Sequence, residues 1–402
     1  MADVDGLIFG GLIKNEDRFW NSIFASLVGM WLIVALVAGT RHTLRIGVSY
    51  WELTHIVLAG AVGTAVLAYS TYFVRVITDG RLLSIRMVAW RVFCYQLSLI
   101  GFYLGRADRA WGVLADCCAI LTCGVLMWQA VAMTRAINVK MAPLLKASVP
   151  YFVLALLFLF YSMIFLLMMG HGLGRRSFLV QAHAQAAVWG FGWFAVIGAA
   201  LPLVPRLTGI AVKERVIRRA ERALGILVFL LLIMTTLQAL NQTILVGAVM
   251  VAFVGVSIIV LHPLLSDMLG SAEHWHGSAL GLTASLVWLI ALQATQCVIL
   301  LLGFDSELFF YLVIPALAGA GYLQFVLSAL HHLLPFSWGQ SATADPSAFT
   351  ELVLINLGAV LTLFGFSGNA MMIGLVLIAI GVASKFSILI RYGISVLVSE
   401  KS

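Results

Sequence analysis

The chain has 402 residues, of which 62% are hydrophobic and only 10% are charged, and its mean hydropathy is +1.05. A water-soluble domain needs more polar surface than this composition supplies, so a soluble protein is excluded. The formal net charge of +7 does not indicate a nucleic-acid partner, because the lysines and arginines fall mostly between hydrophobic runs, where they set membrane topology.

Hydrophobic runs of membrane-spanning length follow one another along the chain. A spanning helix needs about 20 apolar residues, and strand-like alternation is absent, so the pattern predicts helices. The predicted spans are 23–40, 51–74, 85–104, 110–134, 143–170, 178–203, 222–240, 244–264, 277–302, 308–332, 350–368 and 370–391. The sequence thus predicts an all-α polytopic protein with about twelve transmembrane helices, which contacts the lipid bilayer of the cell inner or plasma membrane.

Little sequence remains outside these runs, so we expect one transmembrane domain over 23–391. Residues 1–22 are predicted to form an N-terminal cytoplasmic and interfacial segment, because the stretch from Leu7 to Ile13 has an amphipathic pattern and Phe19 and Trp20 follow it. Residues 392–402 are predicted to form a short cytoplasmic tail.

The basic residues are unevenly divided between the two sides that twelve spans define. Two of them fall inside spans, and six arginines fall on the side opposite the termini: Arg41, Arg45, Arg106, Arg109, Arg175 and Arg176. The other lysines and arginines fall on the side of the termini, with a concentration between Arg206 and Arg222. By the positive-inside rule, both termini are predicted to be cytoplasmic.

Ionisable side chains inside a membrane are costly, so each is a candidate for a functional role or needs a partner. Asp116 falls in the fourth predicted span toward the outer side, where it can accept a proton or pair with an arginine of the outer loops (Arg41, Arg45 or Arg109). Arg91 and Lys385 fall near the cytoplasmic ends of their spans, and we expect their side chains to reach the membrane surface.

Two histidines open spans near the predicted outer side. His55 opens the second span and His183 the sixth, and each is followed on its helix face by small residues: Ala59 and Gly63 after the first, Ala187 and Gly190 after the second. Small residues beneath a histidine leave a groove in which a flat ring such as haem can lie, with the imidazole as axial ligand. The aromatic residues that could wall such a groove are Trp189, Trp193, Tyr69 and Tyr72.

The same pattern has a second interpretation. Small residues at this spacing also let helices pack closely, and a histidine can form a hydrogen bond across the interface between two helices. The residues alone leave both interpretations open.

A further set of histidines falls near the predicted cytoplasmic side: His274, His276, His331 and His332. Imidazoles that lie close together at helix ends can bind a copper or zinc ion. None of them has the i, i+4 spacing on one helix that a strong metal motif shows, so a hydrated interfacial cluster is the alternative.

Three segments carry a family resemblance. They are THIVLAGAVG with YF following (Thr54 to Phe73), AHAQ with two glycines and a terminal LP (Ala182 to Pro202), and LSALHHLLP (Leu327 to Pro335). They resemble the twelve-helix proteins related to haem-copper oxidase subunit I, especially the shorter NnrS-type proteins and the membrane portions found fused to copper oxidases. The resemblance implies three four-helix arcs around the membrane centre, with the second, sixth and tenth helices lining the pores.

An oxygen-reducing centre of that superfamily needs a low-spin haem held by histidines of the second and tenth helices, a second haem ligand on the tenth, and three copper-binding histidines on the sixth and seventh. Only His55 and His183 match those positions. The seventh predicted span and residues 308–321 contain no histidine, and Gln181 stands where the relatives carry the first histidine of a His-x-His pair. The resemblance therefore implies an incomplete oxidase or nitric-oxide reductase centre.

Three functional hypotheses follow. The first is a non-catalytic or weakly catalytic membrane protein that binds haem or copper at His55 and His183 and serves in nitric-oxide, copper or respiratory homeostasis. The second is a transporter of a small solute or ion that uses Asp116, the histidines and buried glutamines along a polar path. The third is a structural subunit of a membrane complex or a homo-oligomer, whose histidines only complete hydrogen bonds between helices.

Overall fold

The structure is a computed structural model that describes residues 15–44, 46–77, 83–105, 111–137, 142–209, 212–270, 277–304, 306–337, 348–364 and 368–399. These residues form twelve helices with no strand among them, which confirms the predicted all-α class. The helices are α1 (Asn15–Thr43), α2 (50–77), α3 (Ile85–Gly105), α4 (Val113–Ala136), α5 (Pro143–Gly170), α6 (Arg176–Thr208), α7 (Glu214–Ala239), α8 (Thr243–Gly270), α9 (Gly277–Leu301), α10 (306–337), α11 (Ala348–Phe364) and α12 (Gly368–Ser399).

Eleven of these helices are long and apolar enough to cross a membrane. The exception is α11, which has 17 residues and lies at the lower limit of spanning length. The helices correspond one to one with the predicted runs, because apolar length is a property that the sequence carries directly. The chain is therefore a multi-pass membrane protein.

The ends of the helical region differ from the prediction. Helix α1 begins at Asn15, so residues 15–22 of the predicted interfacial segment are helical, and α12 extends into the predicted tail. A tertiary contact holds the start of α1 in place, since Asp17 forms an ion pair with Arg75 of α2 at 2.8 Å. Within α1, Trp20 stacks on Phe24. The stretch from Leu7 to Ile13 lies outside the described residues.

Helices α2, α6 and α10 form the centre of the protein. They bury 61%, 89% and 83% of their most apolar stretch, against 33% or 44% for the other spanning helices. The remaining helices surround them in chain order, and α12 packs against α1 to close the ring. Each successive group of four helices thus contributes its second helix to the centre, as expected for three four-helix arcs.

Each central helix contains a seven-residue π-helical segment: Ile56–Val62 in α2, Ala186–Gly192 in α6 and Leu317–Leu323 in α10. π-Helical turns are rare, and they occur frequently at functional sites. Their recurrence at equivalent places indicates a threefold structural repeat that is not visible as a close repeat in the sequence.

A hydrogen-bonded triad supports the repeat in the first group of helices. Trp31 Nε1 of α1 donates to Gln96 Oε1 of α3 at 2.5 Å, and Gln96 Nε2 donates to Thr64 Oγ1 of α2 at 2.9 Å. Polar groups buried inside a membrane protein need internal partners, so this triad fixes the rotation of α2 about its axis.

The third group of helices contains the equivalent triad. Trp288 Nε1 of α9 donates to Asn356 Oδ1 of α11 at 2.5 Å, and Asn356 Nδ2 donates to Gln324 Oε1 of α10 at 3.1 Å. In both groups a tryptophan of the first helix binds an amide of the third helix, which in turn binds the central helix. The rotation of α10 is therefore fixed in the same way.

The short helix α11 is held by a close approach to α12 at Gly358 and Gly374. A Cβ atom built on Gly358 would lie 2.6 Å from the carbonyl oxygen of Gly374, and one on Gly374 would lie 2.7 Å from that of Gly358. Neither position can carry a side chain unless the two backbones move apart.

We therefore expect Gly358→Ala to destabilise the protein by about 1–3 kcal/mol through overpacking. The matched control is Gly255→Ala in α8, where no atom lies within 4 Å of the added methyl group and alanine favours the helix. The measurement is the midpoint of thermal unfolding in detergent, followed by size-exclusion chromatography of heated samples. Equal midpoints for the two variants would contradict the close approach.

Candidate functional site

A cavity of about 730 Å³ lies beside the N-terminal parts of α2 and α6. Residues of α3, α4, α5 and α10 complete its wall, and most of the lining is apolar, with Leu99, Phe102, Leu159, Phe191 and Phe310 among the contributors. Sites for cofactors are usually cavities of roughly 300–1,000 Å³ lined by apolar and aromatic groups with a few placed polar groups. This cavity has the size and lining of such a site.

His55 lines this cavity from the last turn of α2 before the π-helical segment. Its Nδ1 atom lies 2.8 Å from the carbonyl oxygen of Trp51. Because a carbonyl can only accept, Nδ1 carries the proton and the lone pair of the neutral ring is on Nε2. The indole ring of Trp51 lies against the imidazole with a centroid distance of 4.3 Å, which further fixes the ring.

His183 lines the same cavity from α6 and is oriented by α5. Its Nδ1 atom lies 3.0 Å from the carbonyl oxygen of Ser162 and 2.8 Å from the hydroxyl oxygen of the same residue. The hydroxyl group in turn donates to the carbonyl oxygen of His183 at 3.1 Å. Nδ1 is therefore the protonated nitrogen here too, and the lone pair is again on Nε2.

The structure brings the two predicted histidines together. Their ring centroids are 6.2 Å apart, and the ring planes are inclined by 18°. Metal–imidazole bonds are about 2.0 Å long, so two imidazoles on opposite sides of one metal ion have centroids roughly 6 Å apart. The centroid spacing of His55 and His183 is compatible with two imidazoles that bind one metal ion from opposite sides.

The predicted grooves beneath the histidines are present in part. Ala59 and Ala187 line the cavity one turn beyond His55 and His183. The glycines one turn further on instead receive aromatic side chains of neighbouring helices. The predicted groove is therefore open at Ala59 and Ala187 and filled at Gly63 and Gly190.

The prediction that Trp189 and Trp193 wall the groove is wrong for both tryptophans. Trp189 and Trp193 are fully buried, and their indole N–H groups donate to Gln296 of α9 at 2.5 Å and to Ser257 of α8 at 3.0 Å. These partners lie on the side of α6 that faces α8 and α9. Tyr69 lines a separate void of about 50 Å³ between α2, α6 and α10.

Two tyrosines that sequence reasoning missed line the cavity and bind π-helical segments. Tyr95 of α3 donates to the carbonyl oxygen of Ala59 at 2.8 Å, and Tyr322 of α10 donates to that of Val188 at 2.6 Å. No local pattern signals either contact, because donor and acceptor are 36 and 134 residues apart. These bonds hold the irregular turns of α2 and α6 at the cavity.

Asp116 lies in the first turn of α4, outside the cavity wall. Trp111 Nε1 donates to its Oδ1 atom at 2.7 Å, and His171 Nε2 lies 2.9 Å from the same oxygen. Of the arginines that were expected as partners, Arg41 donates to a backbone carbonyl, and Arg45 and Arg109 lie outside the described residues. Asp116 thus joins α4 to the end of α5.

Arg91 and Lys385 are buried, in contrast to the expectation that they reach the membrane surface. Arg91 is 1% exposed, its Nε donates to the carbonyl oxygen of Met87 at 3.0 Å, and its guanidinium lies over the ring of Trp128. Lys385 is 3% exposed, and its ammonium group donates to Ser328 Oγ at 2.9 Å. Polar and aromatic partners inside the protein hold both cations away from the surface.

The second histidine set is not assembled in the described part of the chain. His274 and His276 lie outside it, and Nε2 of His332 accepts a hydrogen bond from Arg206 Nε at 3.0 Å. That bond occupies the lone pair a metal ion would need. His331 is buried in α10, and the described residues contain no group of three or more histidines, cysteines or carboxylates that could hold a metal ion.

Comparison with known proteins does not assign a function to this site. No model of a known protein family matches the sequence, and no curated protein matches it. The function is therefore argued from the chemistry of the site, since a fold alone does not determine function.

We expect Tyr322→Phe to destabilise the protein by about 0.5–1.5 kcal/mol, because it removes the hydroxyl hydrogen bond to the buried carbonyl group of Val188, which keeps the backbone N–H of Trp193 as a donor. The control is Tyr161→Phe, since Tyr161 packs its ring on Phe165 and has no hydroxyl hydrogen bond among the described residues. The thermal midpoint of each variant in detergent tests this. A Tyr322→Phe midpoint equal to that of the control would show that the π-helical segment of α6 does not need this bond.

Proposed function

We propose that this protein is a membrane haem protein in which His55 and His183 are the axial ligands of one haem. The pair of imidazole rings carries the proposal: they are 6.2 Å apart, 18° from parallel, and on the wall of one cavity of about 730 Å³. The cavity adds the apolar surroundings that a flat ring requires.

The ligand count favours haem over a bare metal ion. Zinc sites take four ligands, or three plus water, and copper sites in proteins use several nitrogen and sulfur donors. The described residues offer two histidines and no group of three potential metal ligands. Haem brings four nitrogen donors of its own and needs only axial ligands from the protein, so two histidines are sufficient.

The hydrogen bonds of the two rings support the same assignment. Metal-binding histidines almost always donate their second ring N–H to a carboxylate, a backbone carbonyl or water, which fixes the tautomer and raises the basicity of the ligand nitrogen. His55 does this with the carbonyl group of Trp51, and His183 with that of Ser162. Both rings are thus held as neutral ligands.

The chemistry of such a site is one-electron transfer. The chain provides two nitrogen donors, and Phe102 and Phe191 are among the aromatic side chains of the cavity wall. A haem held by both His55 and His183 would supply one-electron chemistry and would leave no protein-free ligand position for oxygen. This chemistry is that of a haem carrier of electrons rather than of an oxidase, and the family resemblance suggests respiratory, copper or nitric-oxide homeostasis as its setting.

The site differs from the haem site that the resemblance implies. In oxidases the low-spin haem is expected between the second and tenth helices, whereas the partner of His55 is on α6. Helix α10 contributes only Phe310, Ile314 and Tyr322 to the cavity. The proposal therefore places haem in the space bounded by α2 to α6.

The transporter hypothesis predicts helices that are broken near the middle of the membrane. Helices α2, α6 and α10 instead continue through their π-helical segments without interruption. This continuity favours a fixed cofactor site over an alternating-access path.

Titration of the full-length protein in detergent with ferric haem tests the proposal. We expect one haem per chain with the absorption spectrum of a six-coordinate, low-spin iron, sharpened on reduction. His55→Ala and His183→Ala should each convert the bound haem to a five-coordinate, high-spin form and weaken binding at least about tenfold, since each removes one axial bond.

His42→Ala is the matched control, because His42 binds the carbonyl oxygen of Val48 at 2.9 Å and does not line the cavity. Its haem spectrum should equal that of the wild type. A wild-type protein that takes up stoichiometric copper and no haem, or haem binding that survives both cavity substitutions, would refute the proposal.

A further inference from the structure

The mouth of the cavity carries charged groups of both signs. Its lining includes exposed or half-exposed residues at the N-terminal ends of α2 and α6, among them Gly47, Ser49, Glu52 and Arg176. These residues lie on the side of the membrane where α2 and α6 begin, which the basic residues of the sequence predict to be the outer side. Charged groups at the mouth act on any ligand that occupies the cavity.

The acidic group at the mouth is already engaged. Glu52 Oε2 accepts hydrogen bonds from the backbone N–H and the hydroxyl group of Ser49, at 2.6 Å and 2.7 Å. In return, the Ser49 hydroxyl oxygen accepts from the backbone N–H of Glu52, so the pair forms a capping box at the start of α2. The Glu52 carboxylate thus stabilises a helix end.

The basic group at the mouth is not engaged in this way. Arg176 is exposed, is the first residue of α6, and forms no hydrogen bond or ion pair within the part of the chain that the structure describes. The α6 N-terminus carries no side-chain cap, which adds to the positive potential beside the arginine. Arg176 is therefore the group at the mouth that can pair with an anionic group of a ligand.

The distance from Arg176 to His183 along α6 determines where an anionic group of a ligand can lie. His183 is seven residues further along the same helix, a rise of about 10 Å at 1.5 Å per residue. A flat ligand that is coordinated at His183 and extends toward the mouth brings its outer edge near Arg176. A carboxylate on that edge can form the forked pair that a guanidinium group favours.

We infer that Arg176 binds a carboxylate of the cavity ligand and so sets the ligand's orientation, with its acidic edge toward the mouth. This inference rests on the proposed function and narrows it: the ligand class is a planar, amphipathic porphyrin with free carboxylates. Arg176 is a positioning residue, since it does not bind the metal.

The neighbouring arginine provides a matched control. Arg175 has the same charge and lies at the same helix end, but its guanidinium group lies over the ring of Phe178 at 5.6 Å. It does not line the cavity. Substitution of Arg175 therefore changes the net charge of the mouth region without removing a cavity contact.

The experiment compares the affinity of the full-length protein in detergent for ferric haem and for ferric haem dimethyl ester, in which both carboxylates are blocked. The wild type should bind the diacid about five- to tenfold more tightly, because the charge-assisted pair forms only with a carboxylate. Arg176→Ala should lose this preference and leave the ester affinity unchanged within about twofold. Arg176→Lys should keep part of the preference, and Arg175→Ala should keep all of it.

The outcomes separate this inference from the proposed function. If the wild type shows the two-histidine spectrum with both porphyrins at equal affinity, Arg176 does not bind a carboxylate and the inference fails while the haem site stands. If Arg175→Ala and Arg176→Ala lose the preference for the diacid equally, the preference comes from the general surface charge, and the inference about Arg176 is also overturned. If neither porphyrin gives the two-histidine spectrum, the proposed function itself fails.

Discussion

The architecture depends on a constraint at the membrane centre, where polar groups of the backbone and side chains have neither water nor lipid headgroups as partners. Helices α2 and α6 satisfy carbonyl groups of their π-helical segments with the hydroxyl groups of Tyr95 and Tyr322. Tryptophan–amide triads tie α2 and α10 to their neighbours. Because these bonds fix the rotation of the central helices, His55 and His183 line one common cavity.

Much of the fold was predictable, because the apolar length of a membrane span can be read directly from consecutive residues. The start of α1 was not, since it depends on an ion pair between Asp17 and Arg75, 58 residues apart. The π-helical segments were not predictable either: Ile56–Val62 has the composition of an ordinary apolar helix, and its irregular turn is stabilised from α3. The burial of Arg91 was not predicted, because its depth in the span does not reveal that Trp128 lies beside it.

The candidate site was predictable to a smaller extent. The two histidines could be selected from the sequence because each stands above small residues, but their meeting requires α2 and α6 to be neighbours, which spacing along the chain does not encode. Ser162 orients His183 from 21 residues away, so no local pattern marks it. Trp189 was named as a residue that could wall the groove, whereas its indole N–H donates to Gln296 of α9.

The threefold repeat of the helices is not matched by a threefold repeat of open space. On the α6 to α10 side, Gln185 lies among Met234, Met250 and Gln296, whose side chains fill the interior. On the α10 to α12 side, buried Lys385 binds Ser328 of α10. The large cavity lies on the α2 to α6 side, and that is where two imidazoles of suitable tautomer meet. Packing as well as ligands thus limits where a metal group could bind: even with additional histidines, the side chains around Gln185 would have to become smaller before such a group could enter there.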